Sequence, residues 1–210
     1  MNFVSDASLV LYLPLYEPDG NSFISRDVYG CVCTVNGAAW KPRGRLFDGV
    51  DDKIALPAAV YQAFGNTDDF TIEAWVRKDV STGGYMISHS KITTHQPSIW
   101  MHASGMKVRQ TTNATSNDVT YTLSDRWHHL VLVWKASNHT LYGYVDGELA
   151  GSDGTNALTF ARTDFGSGNI GYLVNSGPYN NMVGEVREYR RALLPQEIQR
   201  NYLATKWRYR

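Results

Sequence analysis

Short apolar-rich runs, each cut off by glycine, asparagine, aspartate or serine, recur along almost the whole chain. In order they read SLVLYLPL, CVCTVN, RLFDG, DKIALP, FTIEAWVRK, GYMISHS, SIWMHA, MKVRQTT, DVTYTL, WHHLVLVWK, HTLYGYVDG, GNIGYLV and MVGEVREYR. Many short strands divided by turn signals predict a sandwich or a barrel. In FTIEAWVRK, Phe70, Ile72, Ala74 and Val76 alternate with Thr71, Glu73, Trp75 and Arg77. That pattern predicts a half-buried strand. LVLVW, residues 130–134, is apolar on both faces and predicts a central or doubly covered strand. Asp146-Gly147 in LYGYVDGELAG predicts a type I′ hairpin, whose two central residues need positive φ. Two segments carry a helical pattern. PAAVYQAF, 57–64, suits one short turn. In PQEIQRNYLATK, 195–206, Pro195 fits the first helical position while Ile198, Tyr202 and Leu203 share a face.

Composition sharpens the class. Six Trp, thirteen Tyr and seven Phe beside eighteen Gly favour an all-β chain over a helical bundle. A length of 210 residues suits one domain, 1–210, with a core from about Ser8 to Ala204 and a basic, aromatic tail, 205–210. Twenty basic and twenty acidic residues give no overall field for nucleic acid or an anionic membrane. From Gly184 onward, seven basic against three acidic residues leave the C-terminal end modestly basic. No apolar run is long enough for a transmembrane helix, so membrane insertion is not expected. MNFVSDASLVLYLPLYEPDG lacks the basic start, long apolar centre and small-residue cleavage site of a signal peptide. The sequons at Asn113 and Asn138 then read as chance. Cys31 and Cys33 read as small buried residues, since a bridge between i and i+2 is strained.

The order of motifs resembles the LamG-like jelly roll of the concanavalin A-like lectin/glucanase superfamily. LVLYLPLYEPDG, RDVYG, LFDGVDDKIALP, FTIEAWVR, RWHHLVLVW, LYGYVDGELAG and GEVREYRRALLPQEIQRNY follow the family's order from about Ser8 to Ala204. The resemblance implies a two-sheet antiparallel β-sandwich, with the short C-terminal helix docked at one edge. Members include carbohydrate-binding modules, adhesion domains and structural parts of surface proteins, and some hold calcium at the rim. It therefore implies most often a glycan-binding or adhesion module, with a glycan or glycoprotein surface as partner.

The candidate chemistry is narrow. Asp48, Asp51 and Asp52 offer the hard oxygens that calcium requires, and Asp27 in RDVYG matches another acidic turn of the family. Where the family often reads DEVR this chain reads GEVR, so Gly184 withholds one acid; the same aspartates also serve as hairpin punctuation. Retaining glycosidases need two carboxylates about 5 Å apart. Glu185 and Glu188, three apart on a strand, point to opposite faces, so the chain is expected not to be an enzyme. GSGNIG has no helix after it, and the adjacent His128 and His129 diverge on a strand; neither makes a site. His89, His95, His102 and His139 have no ligand spacing. Sugars stack on aromatic rings with polar groups around them. Trp75, Trp100, Tyr142, Tyr144 and Tyr179, the last in NSGPYNN, are the candidates for ligand contact, with Tyr142, Tyr144 and Asp146 on one face. Trp40, Trp127 and Trp134 are expected in the core. The tail KWRYR is expected to fold beside the helix, with Trp207 on an apolar edge and its arginines solvated. Two other readings stand behind the glycan module. One is a decoration, fibre or spike component of a virion or surface assembly, with a homo-oligomer or virion partner. The other, a distant third, is a glycoside hydrolase. The sequence leaves the localisation unknown, although both leading readings suit an extracellular or virion-surface role.

Overall fold

The computed structural model describes residues 2–79, 82–91, 98–110, 115–173 and 176–210. Two antiparallel sheets pack face to face as a jelly-roll sandwich. The first contains β1 (Leu9–Pro14), β4 (Ala39–Lys41), β5 (Gly44–Leu46), β7 (Phe70–Arg77), β12 (Trp127–Lys135), β13 (Thr140–Val145), β14 (Glu148–Asp153) and β16 (Met182–Tyr189). Its order is β14-β13-β12-β7-β16-β5-β4, and β1 also pairs with β16. The second contains β2 (Ser22–Ile24), β3 (Val32–Asn36), β6 (Lys53–Leu56), β8 (Tyr85–Ser90), β9 (Ser98–His102), β10 (Gly105–Arg109), β11 (Ser116–Thr120) and β15 (Ser167–Ile170). It runs β11-β10-β9-β8-β15-β6-β3-β2. Two helices are short, α1 (Ala58–Tyr61) and α2 (Pro195–Thr205), and a 3-10 turn, Lys206–Tyr209, follows the second. Among the described residues no helix is long and apolar enough to cross a membrane.

The period-2 pattern fixes the core. Phe70, Ile72, Ala74 and Val76 of β7 meet Leu130, Leu132 and Trp134 of β12 between the sheets, with Ile99, Met101, Met106 and Val108 supplied from the other side. Val131 and Val133 face outward, yet they too are buried, in a second cluster with Tyr144, Tyr189 and Ile198. The doubly apolar run at 130–134 is therefore doubly covered. At the hairpin after β13, Asp146 and Gly147 both have positive φ, 54° and 84°.

The outer face of β7 corrects the half-buried expectation: Thr71, Glu73 and Trp75 are buried as fully as their apolar neighbours. The cause is α2, which lies across this face rather than at the sheet's edge. Ile198 packs into the second cluster. The Asn201 amide donates to both oxygens of Glu73 at 3.1 Å, and its Oδ1 accepts the Val4 N–H at 2.7 Å. Thr205 Oγ1 accepts the Trp75 indole N–H at 2.8 Å. The helix starts where its residues dictate, with Pro195 in the first turn and the Glu197 carboxylate accepting the Leu194 N–H at 2.8 Å.

Under the helix, Arg187 donates to Glu73 and to Glu185, and all three side chains are buried. Glu188, one position on from Arg187, points the other way into the sandwich, where its Oε1 lies 3.1 Å from His89 Nε2 of the second sheet. Burial alone would raise the pKa of Glu73, but Arg187 and His129 overcome it and hold the group at about 2. A carboxylate lowered on folding stabilises the protein above its unfolded value, here near 4.5, and that contribution is lost as pH falls through about 2. Urea midpoints measured across this window should drop steadily on acidification. Arg187→Met leaves two buried carboxylates without their cation and should cost roughly 3–5 kcal/mol in the same unfolding experiment.

Candidate functional site

The helix decides which sheet face is available. Trp75, Tyr142 and Tyr144 do share one face of the first sheet, but α2 and the turn after it are seated on that face. Trp75 is 3% exposed. Its ring stacks on Tyr209 at 4.5 Å and on Tyr202 at 5.7 Å between centroids. Tyr144 is buried in the cluster beneath Ile198, with Tyr142 packed at its margin. Tyr179 is buried as well, its hydroxyl donating to the Arg77 carbonyl. Trp75, Tyr144 and Tyr179 are thus spent on packing, whereas Tyr142 is half-buried. Trp134 is in the core and Trp127 in a smaller cluster with Trp75 and Tyr209, whereas Trp40 is 40% exposed. In the tail, Tyr209 is the buried anchor and Trp207 faces solvent, the reverse of the sequence expectation.

Among the described residues no helix lies on the outer face of the second sheet. Ser98, Trp100 and His102 of β9 point outward while Ile99 and Met101 point into the core. Antiparallel pairing sets Lys107 of β10 opposite Trp100 and Arg109 opposite Ser98. From β8, Tyr85 meets the Trp100 ring edge-on at 5.3 Å and the His102 ring at 4.9 Å. The Lys107 ammonium lies 5.2 Å over the Trp100 ring and 3.0 Å from Asp118 on β11. Arg109 has no carboxylate partner among the described residues. Burial pulls the His102 pKa below its ordinary value. A depression of about 260 Å³ lies here, lined by Tyr85, Ser98, Trp100, Lys107, Arg109 and Ser176 among others. Of the residues predicted to touch ligand, Trp100 alone stands in such a setting. Tyr85, Lys107 and Arg109 were not predicted, because they reach it only through strand pairing. Asn175, the first residue of NSGPYNN, lies outside the described residues, as do His95 and Asn113.

The aspartates form a separate group at the rim. Ligand oxygens of Asp48, Asp51 and Asp52 lie within 4.8 Å of one another. Asp52 accepts the Asp48 N–H at 3.0 Å and Asp48 accepts the Val50 N–H at 2.8 Å, so each spends one oxygen on the turn. Burial, together with the nearby Asp48 and Asp51 charges, raises the Asp52 pKa. Asp27 does not join them: its two oxygens accept the Tyr12 and Tyr29 N–H groups, both at 2.9 Å, and pin a turn. The loop of the three aspartates touches the Trp100 side indirectly. Gly49 abuts Asn180, whose Oδ1 accepts the Gly83 N–H, and Tyr85 forms a bridge with Pro178.

Glu185 and Glu188 lie on opposite faces of β16, Glu185 against Arg187 and Glu188 against the His89 imidazole, so they do not form a retaining pair. Gly184, at the position where an acid was missed, has its own physical reason. A Cβ there would come within 2.4 Å of the Tyr209 ring, so this glycine makes room for the tail.

The family model Laminin_G_3, described as the concanavalin A-like lectin/glucanases superfamily, matches residues 48–199. The chain belongs to this family. No curated protein matches it. Among solved structures it is similar to a Trypanosoma rangeli sialidase in complex with 2,3-difluorosialic acid. The identity is 23%, with 98% of this chain and 34% of that one covered and a TM-score of 0.68. It is similar to the binding domain of botulinum neurotoxin DC in complex with SialylT at 16% identity, covering 94% of this chain and 52% of that one, TM-score 0.70. The binding domain of botulinum neurotoxin serotype G gives 14% identity, 93% and 50% coverage and a TM-score of 0.70. The chain thus spans about a third of the sialidase and half of the toxin domains, and what it shares with them is the fold. These likenesses correct the expectation that the chain is not an enzyme. The same sandwich occurs within sialidase chains, so a carboxylate spacing that excludes one hydrolytic geometry does not exclude enzymes.

Gly184→Asp should drive the Tyr209 ring off Trp75. We expect a loss of roughly 1–3 kcal/mol in urea unfolding, as for other overpacked sites, together with a red shift of tryptophan emission.

Proposed function

Starting from the family and from the uncovered sheet, we propose that the chain binds carbohydrate on the outer face of β8, β9 and β10. The observation that carries this reading is the depression around Trp100, where rings and hydrogen-bonding groups converge. A pyranose presents an apolar C–H face and a polar edge, and the site answers both, with the Trp100 and Tyr85 rings beside the Ser98 and Ser176 hydroxyls. Lys107 and Arg109 favour a saccharide that carries an acidic group, because a guanidinium pairs with a carboxylate through two parallel hydrogen bonds. Two of the similar folds were solved with ligands named for sialic acid, which supports the same class.

Calcium belongs to this proposal as its cofactor. Asp48, Asp51 and Asp52 would hold it, with backbone carbonyls and water completing the six to eight oxygens that the ion takes. The fit rests on the three converging carboxylates, whose ligand oxygens lie within 4.8 Å of one another.

A broad glycan array, run once with calcium and once with EDTA, tests both parts. Binding to acidic glycans is expected, weakened about tenfold by Trp100→Ala, the equivalent of roughly 1.4 kcal/mol. Loss of signal in EDTA and in Asp51→Asn would assign the ion to the rim. A signal indifferent to EDTA would remove calcium and keep the sugar, and silence in both runs would overturn the reading.

A further inference from the structure

A cleft of about 310 Å³ separates the N-terminal segment from the C-terminal turn, on the opposite side of the sandwich from Trp100. Its lining includes Phe3, Tyr12, Tyr16, Glu185, Trp207 and Arg208. Trp207 is 63% exposed although its neighbour Tyr209 is buried. The Trp207 indole N–H donates to the Ala204 carbonyl at 3.0 Å, which fixes the ring while leaving it open to solvent. An exposed indole held in one orientation is a preorganised stacking surface.

The polar groups are held as firmly as the ring. The Arg208 guanidinium lies 3.7 Å over the Tyr16 ring and 4.7 Å over the Trp207 ring. Its Nη1 is 3.4 Å from Glu185 Oε2 at the floor, a long contact that leaves hydrogen-bonding capacity on both partners. The Tyr12 and Tyr16 hydroxyls are 3.3 Å apart, so one proton between them remains to be donated. Donors and acceptors are thus both present, as a ring of hydroxyls requires.

Charge distinguishes this cleft from the Trp100 depression. Arg208 and Glu185 oppose each other here, whereas Lys107 and Arg109 both line the other site. A net charge on the ligand gains nothing in the cleft. The adjoining cleft lined by Trp75, Trp127, Tyr202 and Tyr209 is no rival, because Tyr209 stacks on Trp75 at 4.5 Å and packs tilted against Trp127 at 4.8 Å. Those rings are spent on one another.

We propose that the cleft under Trp207 is a second saccharide site, that it takes an uncharged pyranose, and that the chain is bivalent for carbohydrate. The apolar face of the sugar stacks on Trp207, and its hydroxyls meet Arg208 and the Tyr12 and Tyr16 hydroxyls, with Glu185 holding Arg208 from below. This inference does not rest on the Trp100 reading, and one experiment separates the two.

The six tryptophan indole N–H signals of the full ¹⁵N-labelled chain are to be followed during titration with the methyl pyranosides of glucose, galactose, mannose and N-acetylglucosamine. Trp207→Phe and Trp100→Phe assign the two signals of interest. The expected result is a saturable shift of the Trp207 signal with at least one sugar, and affinity for that sugar lowered about tenfold in Trp207→Ala. A Trp207 signal that stays fixed with all four sugars overturns the second site, whatever the Trp100 signal does. Unchanged affinity in Trp207→Ala overturns it as well. Movement of the Trp100 signal in a parallel titration with sialic acid bears on the other site alone.

Discussion

Arg187 is the charge that the rest of the molecule is arranged around. A guanidinium removed from water is stable only where anions and hydrogen-bond acceptors surround it, and removing one partner from such a group leaves the others stranded. Glu73 comes from the neighbouring strand and Glu185 from two positions back on its own. The carboxylates in turn recruit the chain ends. Asn201 of α2 binds Glu73, and Arg208 of the terminal turn reaches Glu185. Val4 is tied to Asn201 and to the Tyr189 hydroxyl beside them. The helix is therefore held on the sheet by polar partners at fixed positions as well as by the apolar contacts of Ile198. The outer face of the first sheet is covered as a consequence, and the outer face of the second carries the Trp100, Lys107 and Arg109 cluster.

How much of this the sequence disclosed follows from the range of each interaction. Strand alternation is local, so most of the strands, the α2 boundaries and the Asp146-Gly147 turn are legible in the chain. The edge strands β2 and β4 are three residues each and carry too little pattern to read. Covering is not local. Thr71, Glu73, Trp75 and Arg77 give the same alternation whether water or a helix with matching polar groups lies above them. Trp75, Tyr144 and Tyr179 therefore read as ligand contacts when they are packing residues. The outward position of Trp100 is legible in the sequence, because the apolar Ile99 and Met101 flank it and point inward. Tyr85, Lys107 and Arg109 are not, since β8 and β10 reach β9 only by pairing. The aspartates at 48, 51 and 52 cluster because they are neighbours in sequence. Asp27, many residues earlier, is committed to the Tyr12 and Tyr29 amides.

The two carboxylates of β16 illustrate what a local rule decides and where it stops. Three residues apart on a strand, Glu185 and Glu188 diverge, one under α2 and the other toward His89 between the sheets. Both are occupied by buried cationic or imidazole partners, and neither lies in the Trp100 depression. That geometry speaks about these two residues and about one class of hydrolysis. The fold itself occurs in sialidase chains and in toxin binding domains, so architecture leaves the chemistry open and the groups on each surface have to carry it.

The tail joins the two ends of this account. Tyr209 fills the space that Gly184 vacates, stacks on Trp75 and packs tilted against Trp127, which drives the turn into the sheet. Trp207, two residues earlier on a 3-10 turn, is consequently turned outward, and Arg208 between them is aimed at Glu185. The cleft under Trp207 is thus a by-product of sealing the face. Its ring, its guanidinium and its carboxylate are set by the same contacts that satisfy the buried charges. A surface built this way is rigid for structural reasons before any ligand arrives, and a ligand that fits it loses little free energy to ordering the protein.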